Sequence, residues 1–279
     1  MKLARIALNG SPAVIIRGAT DNVATVGGRT FADLPELLEA AGGDASRIAP
    51  GDAVTVTEQQ LLSPVQRPLK IVCIGLNYRL HAEESKQLLP PKPVLFPKWD
   101  NAIAGPFEQI PLPQASSRVD WEAELAFVFG RRCRNVAAAD AGSAVFGFTC
   151  ANDVSMRDFQ FHTSQWGAGK AWDKAAPLGP AVITIDEVGG AAPDLAIRGL
   201  LNGQLMQDSR TGDFIFHVPA LVEYLTTIMT MEPGDLVLTG TPAGVGQGRT
   251  PPQYLKDGDE YEVQIEKLGS IRNRFVAER

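Results

Sequence analysis

Cysteine is scarce in this chain of 279 residues: Cys73, Cys133 and Cys150 are an odd number, and none stands in a CxxC pair. That argues against a disulfide framework or a cysteine zinc site, and it fits reduced thiols in a cytoplasmic protein. Long apolar runs are missing too, none approaching the roughly 18 residues that a membrane helix needs. The opening segment, Met1 to Gly10, alternates and is broken by Arg5 and Gly10, so it is read as a strand and not as a signal peptide. Excess positive charge is absent: 26 Lys and Arg face 32 Asp and Glu, a net charge of -6. Nucleic acids and anionic membranes both require a basic surface, so a small-molecule partner is expected instead.

What remains is an ordinary globular composition, 44% hydrophobic and 21% charged, long enough to bury a sizeable core. Residues 1–65 read as a small α+β unit. Strands are expected at Ala4 to Leu8, Ala13 to Arg17 and Ala53 to Thr57. A helix is expected at Phe31 to Ala41, with Asp33 and Glu36 placed like a capping box. Ser63 to Pro68, with two prolines, reads as a linker to a second unit, residues 66–279.

The second unit carries the chemistry. Ser116 to Phe129 reads as a strand, and a period of two puts Glu122 and Glu124 on one face of it. Two acids side by side in a core-like segment repel each other and are costly to bury, so they need a neutralising partner such as a hard divalent cation. Phe146 to Asp153 is a second buried strand ending in an acid. Asp153 fits either a third ligand or the N-cap of a short helix, Ser155 to Gln160. His81 and Glu84 are three apart, so one helical turn would pair an imidazole with a carboxylate, as in an oriented general base. The same spacing also fits a solvated helix start. Lys170 lies in the Gly-rich segment Trp166 to Lys174, either as an anion holder or on a mobile surface loop. Further elements are a hairpin turning at Asn202-Gly203, a core helix from Pro219 to Met229, and a C-terminal hairpin turning at Gly269-Ser270. A second Gly-rich loop, Thr239 to Gly246, fits neither common nucleotide-binding pattern.

Taken together, Gly75-Leu-Asn-Tyr-Arg-Leu-His81 with Glu84, Asp120-Trp-Glu-Ala-Glu-Leu125, Ala151-Asn-Asp153 continuing to Gln160, Gly169-Lys170, Asn202-Gly203 and Thr239-Gly-Thr-Pro-Ala-Gly-Val-Gly246 resemble the ordered motifs of the fumarylacetoacetate hydrolase family. The resemblance implies an α+β fold, a mixed β-roll preceded by a small N-terminal α+β domain, and a homodimer. It also implies Mg2+ or Mn2+ held by Glu122, Glu124 and Asp153, with a 2-oxo acid as substrate. The activity expected from it is hydrolysis of a carbon-carbon bond in a 2,4-dioxo acid, an acylpyruvate or a fumarylpyruvate-like compound. Oxaloacetate decarboxylation and isomerisation of 2-hydroxyhepta-2,4-diene-1,7-dioate are the alternatives at the same site, and a non-catalytic metal-binding scaffold is the alternative of another class. In the expected mechanism His81, oriented by Glu84, deprotonates water for attack on the distal carbonyl, and Lys170 either offsets developing negative charge or binds the substrate carboxylate. Gln160, Thr241, Tyr78 and Lys98 are expected at the substrate, and Arg157 fits either the site or a structural ion pair.

Overall fold

Ala123–Phe129 is buried at every position, which its apolar run requires of a strand covered on both faces. It lies inside a 13-stranded sheet, antiparallel to Val145–Asn152 on one side and to Leu236–Leu238 on the other. Past Leu236–Leu238 come Ile71–Gly75, parallel to it, and the edge strand Val94–Lys98. On the other side come Ala176–Thr184, Lys2–Leu8 and the antiparallel strands Ser11–Ile16, Asp21–Val26 and Arg29–Thr30. A second sheet of five strands is formed by Ile110–Leu112, Gly269–Ala277, Glu260–Ile265, Ala196–Leu201 and Gln204–Arg210. The computed structural model describes residues 1–278, and neither sheet closes into a barrel. Among these residues no helix is long and apolar enough to cross a membrane, and all three cysteines are free and buried.

Strand alternation sorts the core into two layers. Leu125, Phe127 and Phe129 pack with Ile197, Val263, Ile271 and Phe275 of the five-stranded sheet and with Leu221, Val222 and Leu225 of the Val218–Ile228 helix. Ala126 and Val128, on the opposite face, pack with Leu34, Leu37, Leu38 and Ala41 of the Leu34–Ala41 helix. The N-terminal helix therefore covers the face that Glu124 shares by parity.

Several local expectations are corrected. Asp33 caps Leu34–Ala41 by accepting from Leu34 N at 2.8 Å, but no capping box forms; its carboxylate also accepts from Gln66 N and Arg67 N at 3.1 and 2.9 Å. The cap thus fastens the Pro-rich connection to the helix start. The strand expected at Ala53 to Thr57 is Ala49–Val54, and the C-terminal turn lies earlier, with Ile265 opposite Gly269 and Lys267 at φ 65°. Asn202 and Gly203 do form the hairpin turn, both with positive φ, as a type I′ turn demands. Ser155–Met156 is extended and pairs with Val119–Asp120, so only Arg157–Gln160 is helical and Asp153 caps nothing. Gly167–Lys170 is a helical turn and not a loose loop. A Cβ on Gly169 would stand 2.5 Å from Gln160, so the glycine permits the two short helices to touch.

Asn77 joins the strand ends that meet beneath the site. Fully buried, it donates to Thr239 O and Phe216 O at 2.8 and 3.0 Å and accepts from Phe216 N at 2.7 Å. Asn77→Ala leaves one buried and two partly buried backbone groups without their partner, and urea unfolding is expected to show a loss of roughly 1–3 kcal/mol; a loss below about 0.5 kcal/mol would contradict this role.

Candidate metal centre

Three buried carboxylates, Glu122, Glu124 and Asp153, converge so that one oxygen of each lies within 4.8 Å of the others. Glu124 is the second residue of the central strand Ala123–Phe129, and Glu122 stands just before it. Asp153 follows the neighbouring strand Val145–Asn152, and its N–H donates to Glu122 O at 2.9 Å. Strand pairing, Ala123 opposite Asn152, thus brings together acids about thirty residues apart in sequence.

Cations surround the three. Lys170 Nζ donates to Glu122 Oε2 at 2.8 Å and to Asp153 Oδ2 at 2.7 Å. Arg157 reaches Glu122 Oε1 through Nη2 at 2.7 Å and Asp120 Oδ2 through Nε at 2.8 Å. Lys98 Nζ is 2.8 Å from Asp153 Oδ1, but its three protons are committed to the carbonyls of Val154, Lys170 and Ala175. That contact is one of charge, and Asp153 Oδ1 accepts no aligned hydrogen bond. Glu124 accepts one, from Gly240 N at 2.8 Å.

These environments separate the protonation behaviour of the acids. Burial raises the Glu124 carboxyl well above the usual range, and the nearby Asp153 and Glu122 charges push it further. Burial would raise Glu122 as well, but Lys170 and Arg157 outweigh it and hold that carboxyl well below the usual range. For Lys170, burial would lower the ammonium pKa, and Asp153 and Glu122 together raise it, so it stays cationic. A buried Asp153 oxygen without an aligned donor and a Glu124 carboxylate short of positive charge suit a hard divalent cation taking three oxygen ligands.

A cavity of about 670 Å³ opens over the acids, lined by Glu122, Glu124, His81, Glu84, Lys170, Gln160 and Thr241 among others. His81 and Glu84 lie on the Arg79–Glu84 helix, with His81 Nδ1 3.3 Å from Glu84 Oε2. Glu84 also accepts from Gly244 N at 3.0 Å, which ties this helix to the Gly-rich loop. A Cβ on Gly248 would meet the Glu84 carboxyl carbon at 2.4 Å, so a larger residue there would push the Glu84 carboxylate out of its place. The pair is therefore a fixed part of the cavity wall and not a solvated helix start.

Two expected substrate contacts lie elsewhere. Lys98 is buried behind Asp153 and does not line the cavity, because its ammonium is consumed by backbone carbonyls. Tyr78 is buried against Phe214, ring centroids 4.8 Å apart, and also lies outside the lining. Gln160 and Thr241 do line it. Gln160 accepts from Arg157 Nη1 at 2.9 Å, and Thr241 is held between Ala123 O and Gln207 Nε2 at 3.0 and 2.8 Å. Arg157 answers to both of its readings, an ion pair that also borders the cavity. Asp120 is a further anchor of the site, not marked out by the sequence pattern alone. It accepts from Trp121, Gly246 and Gln247 N–H groups and from Arg157, and its spacing two before Glu122 was the available signal.

A family profile described as "Fumarylacetoacetate (FAA) hydrolase C-terminal" matches residues 70–276. A mitochondrial oxaloacetate tautomerase of Bos taurus is 46% identical over 223 residues, covering 79% of this chain and 70% of that protein. Another, of Rattus norvegicus, is 40% identical over 252 residues, covering 89% and 80%. Among solved structures, a fumarylacetoacetate hydrolase from Exiguobacterium antarcticum superposes with TM-score 0.87 at 32% identity, covering 100% of both chains. A 2-hydroxyhepta-2,4-diene-1,7-dioate isomerase from Mycobacterium marinum does so with TM-score 0.76 at 33% identity, covering 100% and 99%.

Glu124 and Glu122 contribute to stability with opposite sign. With its pKa raised on folding, Glu124 favours the metal-free fold below the ordinary Glu range, and that contribution is lost as pH rises through the raised value. Glu122, lowered on folding, lends stability above the ordinary range that is lost as pH falls below it. Glu124→Gln keeps an acceptor for Gly240 N–H and removes the charge. At neutral pH in EDTA the variant is expected to melt higher than wild type, by about 2–4 °C per kcal/mol recovered. It should also lose the rise in Tm that Mn2+ gives wild type; an undiminished Mn2+ shift would contradict ligation by Glu124.

Proposed function

The chain belongs to the fumarylacetoacetate hydrolase family, and we propose that it is a Mg2+- or Mn2+-dependent enzyme that interconverts the keto and enol forms of a 2-oxo acid. The His81–Glu84 pair carries the proposal, since it borders the same cavity as Glu122, Glu124 and Lys170. Glu122, Glu124 and Asp153 would hold a divalent cation, which would supply Lewis-acid polarisation of the 2-oxo group.

The protein groups divide the rest of the work by charge. With Nδ1–H donating to Glu84, Nε2 of His81 carries the lone pair that takes a proton from the carbon next to the oxo group. The electron pair of that C–H bond becomes the new C=C bond, and the carbonyl π pair moves to an oxygen that stays negatively charged until it takes up a proton from water to complete the enol. Lys170, kept cationic by Asp153 and Glu122, offsets this negative charge and is not the base. Arg157 and Gln160, bonded to one another at the cavity wall, offer polar contacts to the acid. Relatives named for oxaloacetate tautomerisation and for diene-dioate isomerisation favour such proton transfer.

Hydrolysis of a 2,4-dioxo acid is a second reading, supported by a cavity of about 670 Å³, roomier than a four-carbon acid needs, and by the likeness to the Exiguobacterium hydrolase. There His81 would take its proton from water attacking the distal carbonyl. Incubation with Mg2+ and oxaloacetate, or with an acylpyruvate, followed by NMR in deuterated water separates the two: exchange at carbon marks tautomerisation, and two carboxylate products mark cleavage. His81→Ala should lower kcat by about 100-fold or more while leaving Mn2+ affinity within a few-fold, and Glu84→Gln should fall between. Wild-type protein inert toward every 2-oxo acid tried with either metal would overturn the enzyme assignment.

A further inference from the structure

The cations bordering the cavity are not equally occupied. Arg157 and Lys170 are paired with Asp120, Glu122 and Asp153, whereas Arg249 and the exposed Lys86 have no carboxylate within ion-pair distance among the described residues. Arg249 is half-buried; its Nη2 donates to Met206 O at 3.1 Å, and its Nε is buried without an acceptor. The two oxygens of nearby Glu84 are turned to Gly244 N–H and His81. A half-buried guanidinium without counter-charge is costly, and its planar fork matches a carboxylate.

The backbone that carries Arg249 is fixed. Gly246 N and Gln247 N donate to Asp120 at 2.7 and 2.9 Å, and Trp121 Nε1 donates to Gly244 O at 3.1 Å. Arg249 thus follows a short 3-10 turn, Gly246–Gly248, anchored to the same Asp120 that holds Arg157 beside Glu122. One end of the cavity lining is an acidic cluster suited to a cation that a 2-oxo acid can chelate, and another part is an unpaired guanidinium.

We propose that Arg249 binds the second carboxylate of the substrate, so that this site selects 2-oxo dicarboxylic acids over monocarboxylic ones. The inference rests on the 2-oxo acid reading above, and it assigns the discrimination to a residue outside the acidic cluster and the His81–Glu84 pair. A monocarboxylic acid of the same length leaves the guanidinium uncompensated and gains nothing there.

Oxaloacetate and its distal monoethyl ester differ in that second charge and in the ethyl group that masks it. With the full chain and Mn2+, wild type is expected to favour the diacid by roughly 10- to 100-fold in kcat/KM, the worth of a charge-assisted hydrogen-bond pair. In Arg249→Met that preference collapses toward parity through KM, and Arg249→Lys keeps part of it. Calorimetric binding of oxalate, which spans only the cation end, is expected to persist in Arg249→Met and reports a folded site; if it is lost, the Arg249→Lys preference decides. Equal handling of diacid and ester by wild type, or a wild-type preference retained in Arg249→Met, overturns the proposal and leaves the enzyme assignment standing. If wild type turns over neither compound, the enzyme assignment fails, and the ratio of calorimetric Kd values for diacid and ester still decides the role of Arg249.

Discussion

The structure depends on keeping three carboxylates in the interior within 4.8 Å of each other. Isolated, such a cluster would not stay ionised, because burial and mutual repulsion both favour the protonated form. Lys170, Arg157 and Lys98 answer this by distinct means. Lys170 bridges two of the acids, Arg157 joins Glu122 to Asp120, and Lys98 places its charge behind Asp153 while its protons satisfy three carbonyls. Glu124 alone receives no direct cation contact among the described residues, only the Gly240 amide. The charge deficit at the cluster is therefore concentrated on the cavity side, where a divalent cation and an acidic substrate would meet.

Close backbone approach follows from that concentration. Gly75 admits the Trp166 ring, whose atoms would meet a Cβ at 2.3 Å, and Gly240, at φ 98°, lets an amide point at Glu124 beside Asn77. Phe96 packs edge-on against Trp166 and lies 5.0 Å from Lys170 Nζ, an apolar wall that strengthens the charge contacts next to it. The loop after Thr239 is held by acids at separate points, Glu84 on the short helix and Asp120 on the strand approach, so base and acidic cluster share one frame.

Much of the site is legible in the sequence. Glu122 and Glu124 stood out because a period of two placed like charges on one face of an apolar segment, and His81 with Glu84 because a helical turn unites residues three apart. Lys98 and Tyr78 were misplaced because proximity in sequence to a motif says nothing about which side of a strand a long side chain passes. Lys98 runs to the carbonyls behind Asp153, and Tyr78 turns to Phe214. Asp33 was correctly read as a cap, but its second duty to Gln66 and Arg67 is a contact across more than thirty residues that no local pattern encodes.

By itself the sequence determined the repeating features: the central strand and the one leading to Asp153, which helix face is apolar, where Asn202-Gly203 must turn, and that acids on one strand face call for a cation. These follow from dihedral preference, side-chain period and charge, all of which act over a few residues. Only the tertiary structure decided that Asp153 faces the cluster and caps no helix, that Lys170 stands on a packed turn, and that Arg249 reaches the same cavity without a carboxylate partner. Those outcomes depend on strand register and on which protons are already spent. Both are properties of contacts between distant segments, and they are fixed when the sheet pairs Ala123 with Asn152.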